Sequence, residues 1–131
     1  MAIIIPATAF AQNATSFTMD REERSEKGDV SMLSQRYNNE EYGNEIVGEV
    51  KNNGSVPVDF VQITVKFYDE NHNITGTDFT FSDPYTLVPD MKAPFKFFLT
   101  DGSSTEDADT YEFSLSWDNP DGTTGSKVVS Q

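Results

Sequence analysis

"DFVQITVKFYD", residues 59–69, decides the fold. Val61, Ile63, Val65 and Phe67 alternate with Gln62, Thr64 and Lys66, so successive side chains fall on opposite sides of an extended chain. β-branched and aromatic residues hold the apolar positions, which is what a half-buried strand requires. The five residues that follow, Asp69-Glu70-Asn71-His72-Asn73, are turn formers, and Gly76 is expected to take a positive φ as the next strand begins.

Period two also governs the flanking segments. Upstream, "EIVGEV" places Ile46, Gly48 and Val50 on one face, and Asn53-Gly54 supplies a turn where positive φ costs little. Downstream, Phe79 and Phe81 alternate against Thr80. "APFKFFL" aligns Phe95, Phe97 and Leu99, and "YEFSLSW" aligns Tyr111, Phe113, Leu115 and Trp117. Pro120-Asp121-Gly122 reads as a turn before a last edge strand in "SKVVSQ". A weak first strand is expected around residues 30–33, with a loop at 35–44 where Asn, Glu and Gly dominate. No segment repeats at 3.6 residues. The expected fold is all-β, an immunoglobulin-like antiparallel β-sandwich of about seven strands preceded by a flexible polar leader.

The chain of 131 residues fits one domain. Its 22 acidic and 9 basic residues give a net charge of −13, which repels phosphate backbones and anionic lipid and so disfavours nucleic-acid and membrane-surface binding. No apolar run is long enough to span a bilayer as a helix. There is no cysteine, so disulfides, thiolate metal sites and a Cys nucleophile are excluded together.

"MAIIIPATAFAQ" ends an apolar run in Ala9-Phe10-Ala11, an A-x-A pattern of the kind that closes a secretory signal. No positive segment precedes Ile3, so residues 1–11 read as the remnant of a signal whose beginning lies upstream of Met1. Residues 12–29 form the leader and residues 30–131 the sandwich. Export to the surface, periplasm or exterior of a prokaryotic cell follows as the expectation. Three N-x-[S/T] triplets, at Asn13, Asn53 and Asn73, against roughly 1.7 that this composition produces by chance, are little evidence of glycosylation.

Three pieces in order resemble the FxLYD domain family. "VGEVKNNGSVPV" resembles its opening strand, G-x-V-x-N followed by a turn. "VKFYDENHNITGT" resembles its namesake motif, with Val65 and Phe67 where Phe and Leu are usual. "LVPDMKAPFKFFL" resembles its L-x-P-G-x-x-x-x-F segment, with Asp90 in place of Gly. With the strand at 111–117, the resemblance spans residues 45–117. It implies an immunoglobulin-like sandwich of exported or surface-attached prokaryotic proteins, with neither catalytic residues nor an assigned ligand. A positive φ would then fall on Asp90.

The chemistry-bearing residues point away from catalysis. His72 is the sole histidine and sits in a turn, without the buried acid and nucleophile that a triad needs. The carboxylate pairs Glu40-Glu41 and Asp107/Asp109 lie in hydrophilic segments that would not separate their pKa values. No cofactor is expected. Calcium is the sharpest alternative, because Asp69, Asn71 and Asn73 occupy positions 1, 3 and 5 of an EF-hand-like loop. Ile74 and Thr80, however, replace the Gly at position 6 and the Glu at position 12 that such a loop requires. Tyr42, Tyr68, Tyr85 and Phe98 are the candidate contacts for a protein or cell-surface glycan. The expected function is a non-catalytic interaction or scaffold module. A strand-exchanging assembly subunit and a calcium-stabilised surface module are the alternatives.

Overall fold

The computed structural model describes residues 27–40, 43–99 and 108–129. Among them are seven strands and no helix: β1 Val30–Glu40, β2 Gly43–Asn52, β3 Asp59–Tyr68, β4 Ile74–Phe81, β5 Lys92–Leu99, β6 Thr110–Asp118 and β7 Thr124–Val129. They form two antiparallel sheets, ordered β1-β2-β5 and β4-β3-β6-β7, packed as a sandwich. In the constant-type immunoglobulin division the fourth strand joins the first sheet; here β4 pairs with β3 and extends the second. No helix of the described residues is long and apolar enough to cross a membrane.

The alternation seen in the sequence is the alternation of burial. Val61, Ile63, Val65 and Phe67 of β3 face inward with Phe113, Leu115 and Trp117 of β6. Ile46 and Val50 of β2 and Ala93, Phe95, Phe97 and Leu99 of β5 close over them from the other sheet. Phe113 sits among rings, with centroids 5.5 Å from Tyr111 and 6.4 Å from both Phe95 and Phe97. Each such side chain contributes about 1.5–3 kcal/mol on burial.

Two family-like residues have plain structural tasks. A methyl group on Gly48 would run into the Phe95 ring and the Ser34 carbonyl, so only Gly lets β1 and the Phe95 ring close on β2 there. Asn52 is fully buried, and its Nδ2 donates to the carbonyls of Val56 (2.8 Å) and Leu87 (2.9 Å) while its Oδ1 accepts from Gly54 N (2.9 Å). Its backbone oxygen accepts from Asp90 N at 2.8 Å, which ties the Leu87–Met91 turn to the end of β2. Asp90 has φ 69°, the positive value its place in the turn implied.

The structure corrects three local expectations. Of the expected loop at 35–44, residues 35–40, 43 and 44 are strand: β1 runs to Glu40 and pairs with β2 from Val30↔Asn52 to Glu40↔Gly43. The β1–β2 pair tolerates polar residues here because, after Val30, none of the described β1 side chains is fully buried, and backbone pairing with a few half-buried side chains suffices. One of these is Tyr37, whose ring lies 6.4 Å from that of Tyr111. Gly76 does not take the positive φ after β3; His72 does, at 64°. Neither Asn53 nor Gly54 has a positive φ, and their turn is closed by the Asn52 side chain and by the Asn53 N–H donating to Asp29 O at 2.7 Å.

Lys27 to Asp29, at the end of the expected leader, are bonded to the sandwich. Gly28 N donates to Asn119 Oδ1 at 2.8 Å, Lys27 pairs with Asp121 at 2.9 Å and Asp29 with Lys127 at 2.6 Å. The Thr123 hydroxyl and the Lys27 ammonium hold the Asp121 carboxyl well below the usual carboxylate range. A carboxyl depressed by folding stabilises above its unfolded pKa, and that contribution is lost as pH falls towards the folded value. The rest of the leader and the signal-like segment lie outside the described residues.

Candidate functional site

The outer face of the four-stranded sheet carries the candidate site. Its register sets Phe81 beside Gln62 and Ser116, Phe79 beside Thr64 and Ser114, and Thr77 beside Lys66 and Glu112. Phe79 and Phe81 alternate with Thr80, yet they point outward and are 58% and 40% exposed.

Next to them β3 departs from regularity. Between the pairs Asp59↔Asp118 and Gln62↔Ser116, β3 has two residues, Phe60 and Val61, opposite Trp117 alone. This is a β-bulge, and Phe60 occupies it with φ 48°. A bulky residue in the left-handed region is an outlier that costs about 1–3 kcal/mol. The extra residue puts Asp59 and Phe60 on the outer face together; Val61 stays in the core, while Phe60 is 50% exposed and lies parallel to Tyr85, 5.1 Å between centroids and 5° between planes. The loop carrying Tyr85 is held by Val61 N donating to Tyr85 O (3.0 Å) and Ser82 N donating to Val61 O (3.0 Å). Phe81 meets Tyr85 edge-on at 6.4 Å, and Phe79 meets Phe81 at 6.1 Å. Four exposed rings thus form one continuous surface.

Of the residues expected as contacts, Tyr85 belongs to this surface. Phe98 lies on the outer face of β5 in the other sheet, 67% exposed, with the Lys96 ammonium 5.1 Å from its ring. Tyr68 sits at the far end of β3 from Phe60 and stacks on His72 at 4.4 Å. These two rings line a groove of about 310 Å³ with Tyr111, Glu112 and Val128. Tyr42 lies outside the described residues, as do Glu41 and Asp107. Phe60, Phe79 and Phe81 were missing from the expected contacts. The sequence signal for Phe60 is that it precedes Val61, two adjacent apolar residues at the start of an alternating run.

The calcium candidates Asp69, Asn71 and Asn73 come together in the β3–β4 turn, where they have another task. Asp69 Oδ1 accepts from the backbone N–H of Asn71 (2.9 Å) and Asn73 (2.8 Å), while Asp69 N donates to Asn73 O and His72 N to Asp69 O. The β6–β7 turn repeats the construction: Asn119 N donates to Thr123 O, Gly122 N to Asn119 O, and Asp121 Oδ1 accepts from Thr123 N. Both are three-residue loops closed by a left-handed residue, His72 in one and Gly122, with φ 89°, in the other. Among the described residues no group of three or more His, Cys, Asp or Glu is placed to hold a metal ion. Asp69→Ala is expected to lower stability by about 1 kcal/mol through loss of the turn bonds. The loss should be equal with and without millimolar calcium in thermal melts; a calcium-dependent rise in the wild-type midpoint that the variant lacks would restore the metal reading.

No family model matches the chain, and no curated protein matches it in sequence. Among solved structures, a Bordetella pertussis protein solved under the name ApaA is similar over 80% of this chain and 91% of its own, with TM-score 0.54 and 12% identity. A β-glucosidase 3B from Thermotoga neapolitana matches over 79% of this chain and 16% of its own, with TM-score 0.41 and 10% identity. A Bifidobacterium adolescentis β-glucosidase matches over 78% and 17%, with TM-score 0.39 and 10% identity. The first likeness is one of fold, that of a β-sandwich.

Proposed function

We propose that this chain is a non-catalytic interaction module, a β-sandwich that works as a scaffold or contact unit of the prokaryotic envelope or exterior, of the FxLYD kind. The observation that carries the reading is the Phe60 bulge. Backbone strain at Phe60 accompanies the presentation of a ring to solvent, stacked on Tyr85 and continuous with Phe81 and Phe79. Strain of this kind persists where the surrounding structure enforces it, and it concentrates at functional positions. A joined group of exposed rings is a contact surface in a way that a lone exposed ring is not.

The test is retention of the labelled, purified protein on envelope preparations from cells that encode it. Saturable retention is expected, and it should be lost in the double variant Phe79→Ser, Tyr85→Ser at an unchanged melting temperature. Absent retention of the wild type, or equal retention of the double variant, would overturn the reading.

A further inference from the structure

We propose that the aromatic end of this face receives arginine side chains of a cationic partner segment, an inference that rests on the contact role proposed above. The occupant follows from the charges beside the rings. Asp59 and Asp118 face each other directly across β3 and β6, on the same outer face as Phe60. Like charges opposed in this way destabilise a strand pair. The ion pairs of the described residues join Lys27 to Asp121, Lys96 to Glu45 and Lys127 to Asp29, and none reaches Asp59 or Asp118.

The two carboxylates line a cleft of about 340 Å³ with Pro57, Thr86, Asn119 and Pro120. Asp59 Oδ1 is occupied, accepting from Phe60 N and from the Thr86 hydroxyl, and these bonds sit at the base of the Phe60–Tyr85 stack. Its Oδ2 has no partner among the described residues, and Asp118 is exposed. On this face Lys66 stands in the row of Glu112 and Thr77, towards the opposite end of β3. One end of the face therefore combines exposed ring faces, two opposed carboxylates that no cation of the described residues pairs with, and a chain that is −13 overall.

Guanidinium satisfies all three features. It is planar and stacks on aromatic faces, it carries a permanent positive charge, and its fork can bridge two carboxylate oxygens. An ammonium offers the charge without the plane. A neutral sugar offers a stacking face without relieving the Asp59–Asp118 opposition. A second copy of this chain brings another −13 against the first.

The probe is an Arg-Gly-Arg-Gly-Arg peptide, titrated calorimetrically at physiological salt against the full chain, with Lys-Gly-Lys-Gly-Lys as its equal in charge. The arginine peptide is expected to bind several-fold more tightly. Phe60→Gly should weaken it about tenfold. That variant removes the ring and also relieves the positive φ, so the protein should melt no lower and misfolding is separated from loss of binding. Asp118→Asn should weaken binding several-fold, whereas Asp109→Asn, the same charge change at the far end of β3, should do little.

Equal affinity for the two peptides, or equal sensitivity to Asp118→Asn and Asp109→Asn, would reduce the effect to diffuse attraction and overturn the proposal. So would the absence of binding, saturation of the site by a neutral hexasaccharide instead, or self-association that Phe60→Gly abolishes. Envelope retention without arginine binding would overturn this inference alone. Arginine binding without envelope retention would overturn the envelope role and leave the recognition chemistry standing.

Discussion

Phe113→Ala is expected to lower the free energy of unfolding by about 3–5 kcal/mol, more than any other prediction made for this protein. Phe113 is fully buried in β6, with Val65 of β3 on one side and Val129 of β7 on the other in the sheet register. Across the sandwich it meets Phe95 and Phe97 of β5, so it joins both sheets. Truncation removes the transfer free energy of a benzyl group and leaves a cavity walled by rings on strands whose backbones are fixed by pairing. Such a site collapses poorly, which places the cost in the upper part of the range for aromatic truncations. A domain of this size loses about 4–8 °C of melting temperature per kcal/mol, so the variant should be partly unfolded at growth temperatures. Urea melts with an unchanged slope would measure the loss directly. A loss below about 1 kcal/mol would mean that the two sheets do not depend on this contact.

Asn52→Ala is expected to cost about 3 kcal/mol or more, a large effect for a residue that adds no apolar packing. The Asn52 side chain satisfies the carbonyls of Val56 and Leu87 and the N–H of Gly54, all in or beside the core. Alanine orphans the Val56 carbonyl and the Gly54 N–H and leaves the Leu87 carbonyl only its bond from Val58 N; leaving a buried polar group unpaired costs about 1–3 kcal/mol each where water cannot replace the partner. Asn52→Asp separates hydrogen bonding from shape. The carboxylate fills the same volume but turns an acceptor towards two carbonyls, so it should destabilise at least as much as alanine. If Asp were tolerated near neutral pH, the two carbonyl bonds would not be what holds the Leu87–Met91 turn in place. Chemical denaturation of the three proteins side by side decides it.

The parts of the fold that were legible in the sequence are those where one face of a strand is dry and the other wet. β3, β5 and β6 lie inside or across the core, so their chemistry alternates as their burial does. β1 is an edge strand, and its Asn, Gln and Glu residues satisfy no alternation, so residues 35–44 read as a loop. Composition carried no trace of the backbone pairing from Gln35↔Gly48 to Glu40↔Gly43. The site was legible only at Tyr85. Phe79 and Phe81 showed their periodicity, but a period of two does not say which face is inside; the register that sets them opposite the outward Thr64 and Gln62 decides that. Phe60 lies on the Gln62 face that alternation from Val61 implies; what escaped is the bulge, which brings Asp59 to the same face beside it. Asp69, Asn71 and Asn73 were legible as a group but not as to purpose, since an oxygen that ligates a metal and one that closes a turn belong to the same residue types.

The two matching turns bear on the order in which the sandwich assembles. β3–β4 and β6–β7 are hairpins between neighbouring strands, each closed by a three-residue loop with its own internal bonds. Such units form within microseconds, before any distant pairing. The β1–β2 pairing is local as well, but the other joins are remote in the chain: Ile46 must find Phe97, and Val65 must find Phe113. Loop-closure entropy makes those the slow steps, and it places this domain among the all-β proteins that fold in milliseconds to seconds. Until β3 meets β6, each hairpin exposes the apolar side of its central strand. The newly made chain is therefore most vulnerable to association with its own copies in that interval, and its net charge of −13 opposes this.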